Sequence, residues 1–155
     1  MAINAPINFV WHQLTSPSVV TACTPGIISW EEQLPQEQFL VNGRIVIADN
    51  GPQWAVQALI HWYEQHPPTQ LKLRSHITVM KQQIEMDGRM NLTANSDTQS
   101  SLAFFLTIHL PLEATARLFR PIIAQQMPPF LQSFFRCLKN KAETAVIPPT
   151  SDIHE

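Results

Sequence analysis

The residues able to carry acid–base or metal chemistry are few and dispersed. Glu85 and Asp87 lie two apart, and Glu31 and Glu32 are adjacent. Paired carboxylates work as acid and base only when a cleft brings them face to face and shifts their pKa values. Here Glu85 and Asp87 occupy the polar positions of an alternating segment, and Glu31-Glu32 sit on an earlier one. They read as solvated surface charge. The six histidines, His12, His61, His66, His76, His109 and His154, show no metal-binding spacing such as HExxH. His61 and His76 fall on the polar side of successive segments and read as a surface pair, since two ligands without a supporting carboxylate do not make a zinc site. Cys23 and Cys137 fit neither a disulfide framework nor a zinc spacing. Cys23, beside Pro25-Gly26, reads as a small buried hydrophobe. There is no GxSxG, no Cys–His pair with an orienting third group and no glycine-rich phosphate loop. The expectation is a protein without catalytic residues, metal or cofactor, and not an enzyme.

Composition narrows the partners. A net charge of −2, with ten Lys and Arg in 155 residues, provides no basic field for a phosphate backbone, so nucleic acid is not an expected partner. No run of about 18 apolar residues occurs, so no transmembrane segment is expected. Residues 1–10 lack a basic region followed by a continuous apolar run and do not read as a signal peptide. With cysteines unpaired, a reducing cytoplasmic location is expected.

The elements that would position any site follow from periodicity. Pro6 and Ser16-Pro17 each start a short helix, the first with Ile7, Val10, Trp11 and Leu14 on one face. The period then falls to two, giving strands over 27–34, 38–48, 53–65, 71–80, 84–94 and 101–109. Asp49-Asn50-Gly51-Pro52 and Pro67-Pro68 are turns, while Asp87-Gly88 reads as strand interior because Met86 and Met90 stay in phase across it. Short connections make this an antiparallel meander with one apolar face. Residues 113–143 form the cover, an amphipathic helix bearing Leu118, Ile122, Met127, Leu131, Phe134, Phe135 and Leu138. Pro121 and Pro128-Pro129 are expected to interrupt or kink it. The fold class is therefore α+β, a six-strand meander under a long final helix, forming a single domain over 1–143 with a flexible tail over 144–155.

Val10-Trp11, Leu14, Ser16-Pro17 and Ala22-Cys23-Thr24-Pro25-Gly26 together resemble the opening of the carbon monoxide dehydrogenase G-subunit family, with Gly51-Pro52 and His66-Pro67-Pro68 matching later positions. That family belongs to the START and birch-pollen-allergen (SRPBCC) superfamily, so the resemblance implies a helix-grip fold. It also implies an apolar cavity binding lipids, quinones or similar molecules, and an association with molybdenum hydroxylase assembly or membrane recruitment. The family begins with a strand that this chain, starting almost at Asn4, is expected to lack. A sheet edge left bare would invite a homodimer or a protein partner.

Core and cavity lining look alike in sequence, since a ligand pocket is mostly apolar too. The candidate lining is Val41, Trp54, Val56, Ile60, Trp62, Leu73, Ile77, Met86, Met90, Phe104, Leu106, Ile122, Met127, Leu131 and Phe134, with Ser75 as an inward polar anchor for a ligand oxygen. Gly43 and Gly88 leave gaps on the inner face, and the helix prolines would hold the cover off the sheet. The expected function is non-enzymatic binding of a hydrophobic or amphipathic small molecule. The alternatives are an assembly factor with a filled cavity, or a cyclase- or hydrolase-like enzyme that would need an inward acid, base or tyrosine.

Overall fold

The computed structural model describes residues 1–46, 51–110 and 114–145. In chain order these form β1 (Ala2–Ile3), α1 (Ile7–Leu14), α2 (Pro17–Cys23), β2 (Ile27–Leu34), β3 (Gln38–Val46), β4 (Gln53–His66), β5 (Gln70–Val79), β6 (Gln82–Ser96), β7 (Gln99–His109) and α3 (Ala114–Ala145). The sheet is antiparallel throughout, in the order β1-β7-β6-β5-β4-β3-β2. The meander β2 to β7 follows the period-two segments of the sequence.

The first strand expected to be missing is present. Ala2 and Ile3 pair with Ser101 and Ser100 of β7, and the Met1 carbonyl accepts the Leu102 N–H at 2.8 Å. Two residues carry no periodicity, so the sequence could not show it. Ile3 is fully buried, which gives the strand an apolar anchor. Beyond this short pairing, residues 103–109 of β7 have no neighbouring strand on that side among the described residues.

Register aligns the inward residues in rows across the sheet. Leu71, Met90 and Phe104 form one row, then Leu73, Gly88 and Leu106, then Ile60, Ser75, Met86 and Ile108. The buried core lies at one end of these rows. Val10 and Leu14 of α1, Cys23 of α2, and Leu138 and Ala142 of α3 close over Phe39, Trp62, Leu71, Met90, Leu92 and Leu102. Trp30, Phe39 and Trp62 stack there, with ring centroids 5.3 and 4.6 Å apart.

Three expectations are corrected. Helix α3 runs through Pro121, Pro128 and Pro129 as one element, so the prolines do not break it; most residues on its first half are exposed, where a lost backbone bond is made up by water. Gly88 opens no gap, because a Cβ there would meet the Leu73 side chain at 3.1 Å and that of Phe104 at 3.4 Å. Gly43 opens none either: its Cβ would lie 2.7 Å from the Gly26 carbonyl oxygen, where the chain enters β2. The third concerns cysteine. Cys23 and Cys137 form a disulfide, with Cα atoms 5.5 Å apart and 114 residues between them in sequence. A spacing this long carries no signal; only the packing of α2 on α3 brings the sulfurs together. The expectation of a reducing compartment thus loses the unpaired cysteines it rested on. The tail, from residue 146, and the turn residues 47–50 lie outside the described residues.

Candidate functional site: a cleft between the sheet and the long helix

Alternation along β4 to β7 sends one set of side chains toward α3 and the other to solvent. Toward the core end the inward set is buried. Toward the middle and far end burial is partial: Ala58, Ser75, Val79 and Ile84 are buried, whereas Trp54, Val56, Ile60, Leu73, Ile77, Met86, Leu106 and Ile108 keep accessible surface, although each points to the covered face. Over this region α3 does not close down on the sheet.

Two concave spaces stand out among the described residues. The larger, about 700 Å³, lies between α3 and the β1/β7 edge, within the range typical of ligand sites. Leu102 and Phe104 of β7 and Leu131 and Phe135 of α3 provide its apolar walls, together with Met1, while Gln132, Arg136, Lys139 and Asn140 line the helix side. Phe135 is fixed between Phe104 and Phe134, at 5.2 and 5.1 Å between ring centroids. The smaller space, about 220 Å³, lies at the opposite end among Trp54, Met80, Gln82, Leu118, Phe119 and Ile122. Trp54 meets Phe119 edge-on at 5.9 Å. Met80 enters this group from a tight β5–β6 turn in which both Met80 and Lys81 have positive φ, 49° and 63°. Two consecutive non-glycine residues in that region are unfavourable locally.

The candidate lining residues divide as follows. Phe104 and Leu131 wall the larger space, and Trp54 and Ile122 the smaller. Val56, Ile60, Leu73, Ile77, Met86 and Leu106 lie half-buried on the concave face, and Met127 and Phe134 half-buried on α3. Val41, Trp62 and Met90 are buried, Trp62 and Met90 as part of the core cluster. Ser75 is buried, and its hydroxyl has no hydrogen-bond partner among the described residues; the Trp30 indole N–H is in the same position. Buried polar groups are nearly always paired, so two orphans on the apolar side of one sheet are notable. Sequence reasoning missed Leu102, Phe135, Met80, Leu118 and Phe119 as cleft walls, and the polar run Gln132, Arg136, Lys139 and Asn140. A spacing of three and four residues beside the apolar stripe is the signal that could have found that run.

Charge gathers on the other, convex face. Arg74 Nε donates to Asp87 at 2.8 Å and lies 3.4 Å from Glu85; His109 sits 3.1 Å from Asp87. The Arg74 hydrogen bond holds the Asp87 carboxyl below its ordinary range and raises the guanidinium in turn. Lys72, at 2.7 Å, lowers Glu64 likewise. These exposed pairs put Glu85 and Asp87 on the solvated face, as their alternation indicates. His61 and His76 are diagonal rather than opposite: His61 pairs in register with Arg74, and His76 with Leu59. No group of three or more metal-ligating side chains occurs among the described residues, and no helix there is long and apolar enough to cross a membrane.

No protein-family model matches the sequence, and no curated protein matches it. Solved structures do. A conserved protein from Geobacillus kaustophilus superposes with a TM-score of 0.81 at 18% identity, covering 94% of this chain and 93% of that one. An aromatase/cyclase from Streptomyces gives 0.70 at 14% identity over 95% and 92% of the two chains. A START superfamily protein from Mycobacterium smegmatis gives 0.64 at 11% identity over 94% of each. At such identities the likeness speaks for the fold alone. The topology and these likenesses together give the chain a helix-grip, START-like fold.

Proposed function

We propose that this protein binds a hydrophobic or amphipathic small molecule between the concave face of its sheet and α3, without transforming it. The observation that carries the reading is the half-buried apolar face at the sheet's middle and far end, flanked by a cleft of about 700 Å³. Burying ligand surface there gains about 25 cal/mol per Å². The Ser75 hydroxyl and the Trp30 N–H, buried and unpartnered among the described residues, are the polar groups a ligand oxygen would recruit. The described inward residues of β4 to β7 include no acid, base or tyrosine; their polar members include Gln65, Ser75, Gln82 and Ser100, and Ser100 already donates to the Ala5 carbonyl at 2.6 Å. Binding is therefore favoured over acid–base catalysis of the cyclase or hydrolase kind.

Titration with the neutral fluorophore Nile red tests this. Saturable one-to-one binding that Leu131→Glu abolishes supports the reading; no saturable binding refutes it. A second reading, an assembly or recruitment factor of the kind the family resemblance suggests, is favoured by the bare β7 edge over 103–109. It would show as a stable complex with a partner enzyme in the absence of any ligand.

A further inference from the structure

Resting on the binding reading above, we infer that the larger cleft selects an elongated amphipath with an anionic head group, its chain against the sheet edge and its head on α3. The cleft has two chemically distinct sides. Leu102, Phe104, Leu131 and Phe135 are apolar, whereas Arg136 and Lys139, one helical turn apart, lie on the same helix side. Arg136 is exposed and forms no ion pair with a carboxylate among the described residues. Lys139 lies 3.8 Å from Glu143, but that carboxylate also accepts the Asn4 N–H at 2.8 Å, so it is held toward the N-terminal strand.

A net cationic rim above an apolar floor favours a negative head over a neutral or positive one. Long basic side chains can lay their methylenes along such a floor and keep the charge at the water boundary. Charge-assisted hydrogen bonds to a carboxylate or phosphate are about twice as strong as neutral ones, and arginine can make two in parallel. The shared chemistry is a single apolar chain ending in a carboxylate or a phosphomonoester. A cationic head would be repelled by the same rim, which supplies discrimination as well as affinity.

The test displaces Nile red with dodecanoate, dodecyl phosphate, dodecanol and dodecyltrimethylammonium, each below its micelle-forming concentration. The two anions should displace the dye at concentrations about tenfold below dodecanol at low salt, with the gap narrowing as salt is raised. The double variant R136Q/K139Q should lose that gap by weakening the two anions far more than dodecanol; both positions are solvent-accessible, and circular dichroism checks that the fold is kept. Which anion binds tighter tells a fatty-acid-type ligand from a phosphorylated one. Equal displacement by dodecanol, tighter displacement by the ammonium compound, or a gap that survives in the double variant overturns the inference while the binding reading stands. Displacement by none of the four, with Nile red bound, does the same. Failure of Nile red itself to bind removes both.

Discussion

Reduction of the Cys23–Cys137 bond is the most informative perturbation of the framework, because it changes no atom of the chain except the two sulfurs. The bond closes a loop across most of the protein, its ends 114 residues apart. In the chain-entropy account a loop of that length restricts the unfolded state by about 4.8 kcal/mol, an upper figure, and measured losses are more often about 2–4 kcal/mol. For a chain of this size each kcal/mol moves the melting midpoint by about 2–4 °C, so reduction should lower it by about 10 °C. The folded state should survive, because Leu138 and Ala142 next to the bond on α3 are fully buried and hold the helix end independently. The assay is thermal unfolding followed by circular dichroism, with and without a phosphine reductant, alongside a thiol count on the unreduced folded and denatured protein. Two titratable thiols in the unreduced denatured protein, or identical midpoints with and without reductant, would refute this reasoning.

Other outcomes follow from named contacts. Leu138→Ala, at a fully buried position, should cost about 2–5 kcal/mol in denaturant unfolding; a cost under about 1 kcal/mol, in line with a surface site, would mean α3 does not pack as described. Gly43→Ala should destabilise more than Gly88→Ala, since the first forces a Cβ against the Gly26 backbone oxygen and the second only against mobile side chains of Leu73 and Phe104; the reverse order in chemical unfolding contradicts the sheet packing. Ser75→Ala removes a buried hydroxyl without a partner among the described residues, so the ligand-free protein should melt no lower than wild type, while a ligand bearing a carbonyl or hydroxyl should bind more weakly. On acidification, Asp87 and Glu64 are both held below their ordinary values, by Arg74 and Lys72 first of all. Their stabilising contribution is complete above the unfolded carboxylate pKa and disappears as pH falls through the lower folded values. Arg74→Gln should therefore flatten the acid limb of a stability–pH curve, and an unchanged limb counts against the pairing.

What could be read in advance was whatever repeats. The meander shows in the alternation along β3 to β7, interrupted only locally by register shifts such as that at Trp62/Glu64, and α1 and α2 show in the proline starts at Pro6 and Pro17. The in-phase passage through Gly88 correctly kept β6 as one strand, Gln82–Ser96. Features created by tertiary contact were hidden. Strand β1 is two residues long, the disulfide joins distant positions, and the tight turn at Met80-Lys81 uses none of the residues that favour its backbone. The inward face was legible, but its division into core and cleft was not. Met90 and Met86 share type, strand and face, yet one is buried and the other half-exposed, because α1, α2 and the end of α3 cover only one end of the sheet. The glycines misled for a related reason: a missing side chain looks like space, whereas neighbouring atoms fill it.

Binding in the cleft is tested most directly by locating the ligand. Amide and methyl resonances would be followed by NMR while dodecanoate is added to saturation. The shifts should concentrate at Leu102, Phe104, Leu131, Phe135 and Arg136, which wall the cleft, with Arg74, Asp87 and His109 on the convex face unmoved. Saturable shifts centred on the convex face, or binding without any shift along β7 and α3, would contradict it.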